Sequence, residues 1–315
     1  MINLLGLHHM TAICGDAQEN IDFYTDVLGL RLIKVTVNFD DPSAYHLYYG
    51  DGAGSPGTVL TFFPYPGGSE GRPGVGQAIV TSLSIRAESF GYWQDRLQDF
   101  GSQNSSETEV IDFSAPDGLM LKLVADDDYP EPARWAQSSV PHEHAIAGMY
   151  SVTLEEADPR KTDALLTQNL GYQRVAQVED TQLYRLPGRG LGKILEVRAR
   201  PGGAPGRGGH GSVHHIAFRV ADDDQQLSAR DELDKAGAQV SDVRDRDYFH
   251  SIYFREPGGV LFEIATDVPG FSTDETLEQL GSGLRLPKMH EPNRAHIEGS
   301  LSKIQLPGHL HLGSQ

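Results

Sequence analysis

The sequence predicts an α+β protein made of four similar modules, each a strand, a helix and about three further strands, arranged as two similar halves. Three observations lead there. First, APDGLMLKLVADD from Ala115 and EPGGVLFEIATDV from Glu256 align without a gap. Pro116, Gly118 and Asp126 meet Pro257, Gly259 and Asp267, and in each case a turn runs into a mostly apolar strand. Second, GLHHMTA from Gly6 parallels GMYSVTL from Gly148. Third, each half divides again, because TSLSIRAESFGYWQDRLQDFG and HHIAFRVADDDQQLSARDELDKAGAQV both start as a strand and continue as a helix.

The first and third modules share a further signature. After the opening strand comes an acidic loop, then NIDFYTDVLGLRL in one and DALLTQNLGYQRV in the other. Apolar residues at helical spacing followed by glycine read as a helix with a glycine stop. The halves cover 1–135 and 146–268. The Pro-containing polar stretch EPARWAQSSVPHEHAIA holds a linker at 136–145, and 269–315 is a tail with one short helix in LPKMHEPNRAHIEGSLSKI and a loose end.

Composition narrows the function classes. The 315 residues carry a net charge of -18, and a strongly acidic surface repels phosphate backbones, so nucleic acid is not an expected partner. No run of about 18 apolar residues occurs, so no membrane span is expected. The N-terminus MINLLGLHHM has no basic region or cleavage site, and the single cysteine, Cys14, forbids an internal disulfide. Both fit a cytoplasmic protein. Cys14 itself reads as a small buried residue. The plentiful glycine (35) and proline (18) suit short strands joined by turns rather than a helical bundle.

Strand alternation separates the histidines of VHHIAFRV. His214, Ile216, Phe218 and Val220 share one face, and His215 lies with Val213, Ala217 and Arg219 on the other. The bulkier apolar set packs under the helix, so His215 points to the concave side. In GGVLFEIATD, Glu263 lies in the middle of an apolar strand, where a carboxylate is costly unless paired or bound to a cation. In LHHMTAI the face argument does not decide between His8 and His9. The repeats add a comparison: His9 and His215 correspond to Ser151 and Ser82, and Glu263 corresponds to Lys122. One set of equivalent positions reads His, His, Glu and suits a metal that must keep open positions; the other reads Ser, Ser, Lys and does not.

These residues resemble the vicinal oxygen chelate superfamily, whose domains pair βαβββ modules, and the order of features is similar to the hydroquinone 1,2-dioxygenase-like ring-cleaving enzymes. The resemblance covers nearly the whole chain and implies two vicinal oxygen chelate domains. It implies His9, His215 and Glu263 as ligands of Fe(II), with Mn(II) as the alternative metal. It also implies roles around them: Tyr253, Arg246 and His8 in catalysis, and Thr11 and His214 at the substrate. The implied substrates are a small hydroquinone-like or catechol-like aromatic and O2, with a homo-oligomer left open. Two-domain catechol dioxygenases keep all three ligands in the C-terminal half; Ser151 at the third-module position argues against that arrangement.

Other motifs carry less. DGAGSPG holds a literal G-x-G-x-x-G, but a strand follows it and Pro56 interrupts it, so it reads as a hairpin loop. PGGAPGRGGHG lacks the Lys-Ser/Thr of a phosphate loop, and His142–His144 lies in the linker. Two alternatives stand beside ring cleavage. A glyoxalase-like lyase or isomerase would need a fourth ligand where Thr61 stands, the counterpart of Glu196. A metal-free aromatic-binding resistance protein would not need the His-His-Glu set.

Overall fold

Each of the four segments forms a strand, a helix and three strands, as its hydrophobic pattern requires. The computed structural model describes residues 1–98, 103–105 and 110–307. The first module is β1 (Leu7–Cys14), α1 (Ala17–Asp22), β2 (Arg31–Val37), β3 (Tyr45–Gly50) and β4 (Val59–Pro64). The second is β5 (Gln77–Ile85), α2 (Phe90–Leu97), β6 (Gln103–Ser105), β7 (Val110–Ser114) and β8 (Met120–Ala125). The third is β9 (Gly148–Glu156), α3 (Arg160–Gln168), β10 (Gln173–Val178), β11 (Thr181–Arg185) and β12 (Ile194–Ala199). The fourth is β13 (Ser212–Val220), α4 (Asp223–Lys235), β14 (Arg244–Asp245), β15 (Phe249–Arg255) and β16 (Leu261–Pro269). The second-module helix ends within the described residues at Leu97; the part of the expected segment from Asp99 to Gly101 lies outside them.

Local chemistry sets the helix ends. The Asp16 side chain accepts from the backbone N–H groups of Gln18 and Glu19 and caps α1, and Asp222 caps α4 through Gln225 N–H. Downstream, Gly29 and Gly171 adopt positive φ, and at Gly29 an added Cβ would meet Val140 Cγ2 at 2.5 Å. Only glycine turns the chain there without strain.

The modules pair across the sequence halves. The first and fourth form one eight-stranded sheet in the order β14-β15-β16-β13-β1-β4-β3-β2. The second and third form the other, β10-β11-β12-β9-β5-β8-β7-β6. At the centre of the first sheet β1 runs antiparallel to β13, with parallel β4 on one side and parallel β16 on the other. Residues far apart in sequence therefore become neighbours: Thr11 faces His215 in the register, and Ala217 faces Glu263.

Alternation holds for Ile216, Phe218 and Val220 but not at the start of β13. There a register shift against β1, between Thr11 and Ala12, puts Val213 in the core and His214 in the cavity wall beside His215, the reverse of the expected faces. Ile216, Phe218 and Val220 are buried in the main core with Phe262, Ile264 and the α4 residues Ala229 and Leu233. Burying a ring such as Phe218 contributes roughly 1.5–3 kcal/mol. The loop DGAGSPG joins antiparallel β3 and β4, and PGGAPGRGGHG joins β12 to β13, so neither opens a helix. His142–His144 forms a single 3₁₀ turn in which the His144 ring stacks on Tyr92.

The tail does more than end the chain. It carries the short helix α5 (Arg294–Ser300), and the described residues stop at 307, so its expected loose end lies outside them. Before α5, residues 271–285 run over β2. Fully buried Lys34 donates to Asp274 at 2.6 Å and also bonds Glu275, and Val35 bridges to Leu284. A buried ammonium is tolerable only with such partners. Phe271 packs between Tyr48 and Tyr248. The tail thus backs the wall of the first sheet.

Candidate active site

The concave side of the first sheet encloses a cavity of about 300 Å³. That is the small end of ligand pockets and ample for one substituted benzene ring. Its lining includes His9 from β1, His215 from β13, Tyr253 from β15, and His46 and Tyr48 from β3, with Phe63, Phe249 and Leu261 as apolar walls. No helix among the described residues is long and apolar enough to cross a membrane.

Three side chains converge at the cavity floor. His9 Nε2 lies 3.3 Å from His215 Nε2, Glu263 Oε2 lies 2.9 Å from His215 Nε2, and His9 Nε2 lies 3.4 Å from the same carboxylate oxygen. Among the described residues this is the one group of three or more histidine, cysteine or acidic side chains with all ligand atoms within 4.8 Å of one another. All three are buried, Glu263 completely. Burial pushes the Glu263 carboxyl up, but His9 and His215 outweigh it and hold the group well below the usual carboxylate range. Ser251 Oγ donates to Oε1, whereas Oε2 is buried without a hydrogen-bond partner. A buried anionic oxygen beside two imidazole nitrogens, with no donor of its own, fits a cation bound there.

The doubled histidines have a geometric reason. His8 Nδ1 lies 2.9 Å from His9 Nδ1, and His214 Nδ1 lies 2.7 Å from His215 Nδ1. Each neighbour engages the far nitrogen of the ring whose Nε2 faces the cluster, which fixes that ring's orientation and tautomer. Burial, then His9, holds the His8 pKa well below its ordinary value, so His8 is neutral and its lone pair is available. His8 is buried against Phe249 and does not line the cavity; His214 does, and is the exposed member of its pair.

Tyr253 and Arg246 form one unit on the fourth-module arm. Tyr253 pairs in register with Glu263, and its ring meets His215 edge-on. Arg246 Nε donates to the Tyr253 hydroxyl at 3.3 Å, and Nη2 donates to Asp40 at 3.1 Å. Burial and then the Glu263 charge push the Tyr253 pKa up, so its hydroxyl keeps its proton. Burial pulls Arg246 down, but Tyr253 and Asp40 more than offset it, so it stays charged. Although it lies in the charged run RDRD, Arg246 is not a surface residue: its side chain is largely buried in the cavity wall.

Thr11 lies behind the cavity rather than in it. Its Oγ1 is 2.7 Å from Thr61 Oγ1, which is 2.8 Å from His46 Nε2, and His46 Nδ1 is 2.8 Å from the Tyr48 hydroxyl. Sequence reasoning passed over His46 and Tyr48. Their signal was present in YHLYYG: they share one face of β3, while Leu47 and Tyr49 on the other enter the core. Burial, then His9, keeps the His46 pKa well below its ordinary value. Thr61, at the position a fourth ligand would need, is fully buried with a short hydroxyl already engaged by its neighbours.

Comparison with known proteins agrees with this fold. Residues 6–121 and 148–264 each match the Glyoxalase/Bleomycin resistance protein/Dioxygenase superfamily. A Bacillus subtilis (strain 168) protein that carries the provisional name ring-cleaving dioxygenase MhqO is 44% identical over 306 residues, covering 96% of this chain and 97% of that protein. A Sphingobium indicum protein named chlorohydroquinone/hydroquinone 1,2-dioxygenase is 34% identical over 292 residues, covering 89% and 91%. A crystal structure from Bacillus subtilis, likewise provisionally named a dioxygenase, superposes with TM-score 0.92 at 42% identity, covering 97% of this chain and 99% of that one. Maize glyoxalase I shares the fold alone, with TM-score 0.61 at 14% identity, covering 83% of this chain and 92% of that one.

Proposed function

This chain belongs to the Glyoxalase/Bleomycin resistance protein/Dioxygenase superfamily, and from that premise we propose an Fe(II)-dependent, extradiol-type dioxygenase that opens hydroquinone-like or catechol-like rings with O2. The observation that carries the reading is the floor of the cavity: a buried carboxylate oxygen without a donor beside two oriented imidazole nitrogens, under walls sized for one aromatic ring. His9, His215 and Glu263 would hold the metal. Bound there, Fe(II), or Mn(II) in its place, supplies a Lewis-acidic centre with open positions for a phenol oxygen and O2 together.

The chain's own residues do the rest. Phe63, Phe249 and Leu261 exclude water from the ring and strengthen every polar contact inside. The Arg246 guanidinium faces the cavity and stabilises negative charge that develops on a substrate oxygen. The neutral Tyr253 hydroxyl, oriented by Arg246, can donate a proton beside the Glu263 carboxylate. His214 reaches substrate at the cavity mouth. His8 and Thr11 act one residue back, by orienting His9 and by anchoring Thr61. A cytoplasmic setting fits a chain whose one cysteine, Cys14, allows no internal disulfide. Thr61 in place of a fourth carboxylate weighs against the glyoxalase-like lyase, and the unpartnered Glu263 oxygen weighs against a metal-free binding protein.

The test is metal analysis of anaerobically purified protein, followed by O2 uptake with a panel of hydroquinones and catechols. About one iron per chain with ring-dependent O2 uptake is expected. Zinc or nickel without O2 uptake would overturn the reading in favour of lyase or isomerase chemistry.

A further inference from the structure

The two arms of the first sheet repeat one another around the cavity. On the fourth-module arm, Tyr253 of β15 sits in register with Glu263 of β16, and Ser251, two residues before it, donates to Glu263. On the first-module arm, Tyr48 of β3 sits in register with Thr61 of β4, and His46, two residues before it, bonds Thr61. Tyr48 is thus the counterpart of Tyr253, and both line the same cavity. Each phenol is held by one cationic or imidazole partner: Tyr253 by Arg246 at 3.3 Å, Tyr48 by His46 at 2.8 Å.

The repetition is broken at the floor. Tyr253 stands one strand from the ligand Glu263, whereas β4 carries no ligand and separates Tyr48 from His9 on β1. Neighbouring strands lie about 4.8 Å apart, so Tyr48 is offset from the metal-facing cluster by an extra strand spacing. A ring bound through one oxygen at the cluster extends away from it. An oxygen on the adjacent ring carbon stays near the cluster, and one on the opposite carbon points toward the far arm.

We propose that Tyr48, held by His46, binds the ring oxygen opposite the one at the metal, and so selects 1,4-dihydroxylated rings over 1,2-dihydroxylated ones. The inference rests on the ring-cleaving reading above and names the substrate class for it. The chemistry suits the task. His46 meets Thr61 with Nε2 and Tyr48 with Nδ1, so either imidazole tautomer leaves the Tyr48 oxygen with bonding capacity to spare. With Tyr48 donating to Nδ1, its oxygen accepts from a substrate hydroxyl. With Nδ1–H donating to Tyr48, the phenol donates to a substrate carbonyl-like oxygen. The Thr61–Thr11 hydroxyl pair adjusts to either by rotation. Phe271 and Tyr248 pack the Tyr48 ring from behind and hold it against the cavity.

The experiment measures binding of hydroquinone, catechol and phenol to Fe(II)-loaded protein without O2, by calorimetry, for the unaltered chain, Tyr48→Phe and His46→Gln. The unaltered protein is expected to prefer hydroquinone to phenol by about fivefold, the worth of one hydrogen bond. Tyr48→Phe removes that preference and leaves phenol binding unchanged, and His46→Gln reduces it. With O2 present, the same changes raise KM for hydroquinone more than they lower kcat. Equal weakening of phenol and hydroquinone would mean a merely structural role and overturn the proposal, as would an undiminished preference in both variants. If the unaltered protein takes up O2 with catechol and not with hydroquinone, the proposal fails and ring cleavage stands. If it neither binds nor consumes O2 with any of these rings, ring cleavage itself fails and takes the proposal with it.

Discussion

The two eight-stranded sheets offer the same four positions at their centres and use them in opposite ways. In the first sheet the positions hold His9, His215, Glu263 and Thr61; in the second they hold Ser151, Ser82, Lys122 and Glu196. The second set closes on itself. Ser151 Oγ donates to Glu196 Oε1 at 2.7 Å, Thr153 Oγ1 donates to Oε2 at 3.0 Å, and Lys122 turns to Asp112 at 3.3 Å. Every oxygen of Glu196 is satisfied. In the first sheet the carboxylate keeps one oxygen without a donor, and both imidazoles direct Nε2 toward it. The difference teaches that the scaffold does not dictate a site. Hydroxyls beside the carboxylate complete a structural network, and imidazoles beside it leave lone pairs for a cation.

The largest effect is expected from breaking that contrast directly. Glu263→Gln removes the charge that balances a cation, so bound iron and O2 uptake are both lost, read by metal analysis and an oxygen electrode. Glu196→Gln, the same change made to the carboxylate that the second sheet holds at its own Thr61-equivalent position, leaves iron content and O2 uptake as they were. It costs about 1–2 kcal/mol of stability, because two hydrogen bonds to a charged group become weaker ones. Equal iron content in the two variants would refute the assignment of the first sheet as the metal-binding one.

The next prediction makes the sheets more alike. Thr61→Glu places a carboxylate where Glu196 stands in the second sheet and supplies the fourth ligand of a closed coordination set. Metal retention against a chelator rises, and O2 uptake falls by at least about tenfold as an open position is filled. Unchanged O2 uptake with a well-folded protein would show that Thr61 does not face the metal position. An effect on rate alone follows from Tyr253→Phe, which keeps the ring and removes the hydroxyl that Arg246 orients. O2 uptake drops by about 10²-fold with iron content unchanged; a loss of iron in parallel would assign Tyr253 a structural part in the cluster instead.

Much of this was legible before any coordinates. Pro116 with Pro257 and Gly118 with Gly259 marked the repeats, and alternation in VHHIAFRV separated His215 from the core residues Ile216 and Phe218. Glu263 stood out because a carboxylate inside an apolar strand needs a partner. Other features depend on contacts that no local pattern encodes. The choice between His8 and His9 turns on a register shift in β1 between Leu7 and His9. Lys34 in RLIKVTV looks like a solvated residue until the tail brings Asp274 and Glu275 to it from about 240 positions away. His46 and Tyr48 were readable by the alternation that found His215. They lacked a second histidine or an acidic neighbour to draw attention, and only the pairing of the first module with the fourth gives them a cavity to face.

The smallest effect concerns the contact between the two sheets. Glu156, at the end of β9 in the second sheet, and Glu256, in the turn before β16 in the first, are both buried and both bond the hydroxyl of Thr162, at 2.8 Å and 2.5 Å. One hydroxyl proton cannot serve two carboxylates. Glu256 also accepts from the N–H groups of Gly258 and Val260, while Glu156 Oε1 has no partner. Burial first, and then the Glu256 charge, push the Glu156 pKa from 4.5 to about 8. The folded protein therefore keeps a proton that the unfolded chain releases. The stabilisation is complete below pH 4.5 and is lost as pH rises toward 8. Glu156→Gln mimics the protonated carboxyl at every pH. Its melting temperature should match the unaltered protein near pH 5 and exceed it by a few degrees near pH 8, at about 2–4 °C per kcal/mol. A difference between the two that does not change across that range would show that the sheets meet without a shared proton.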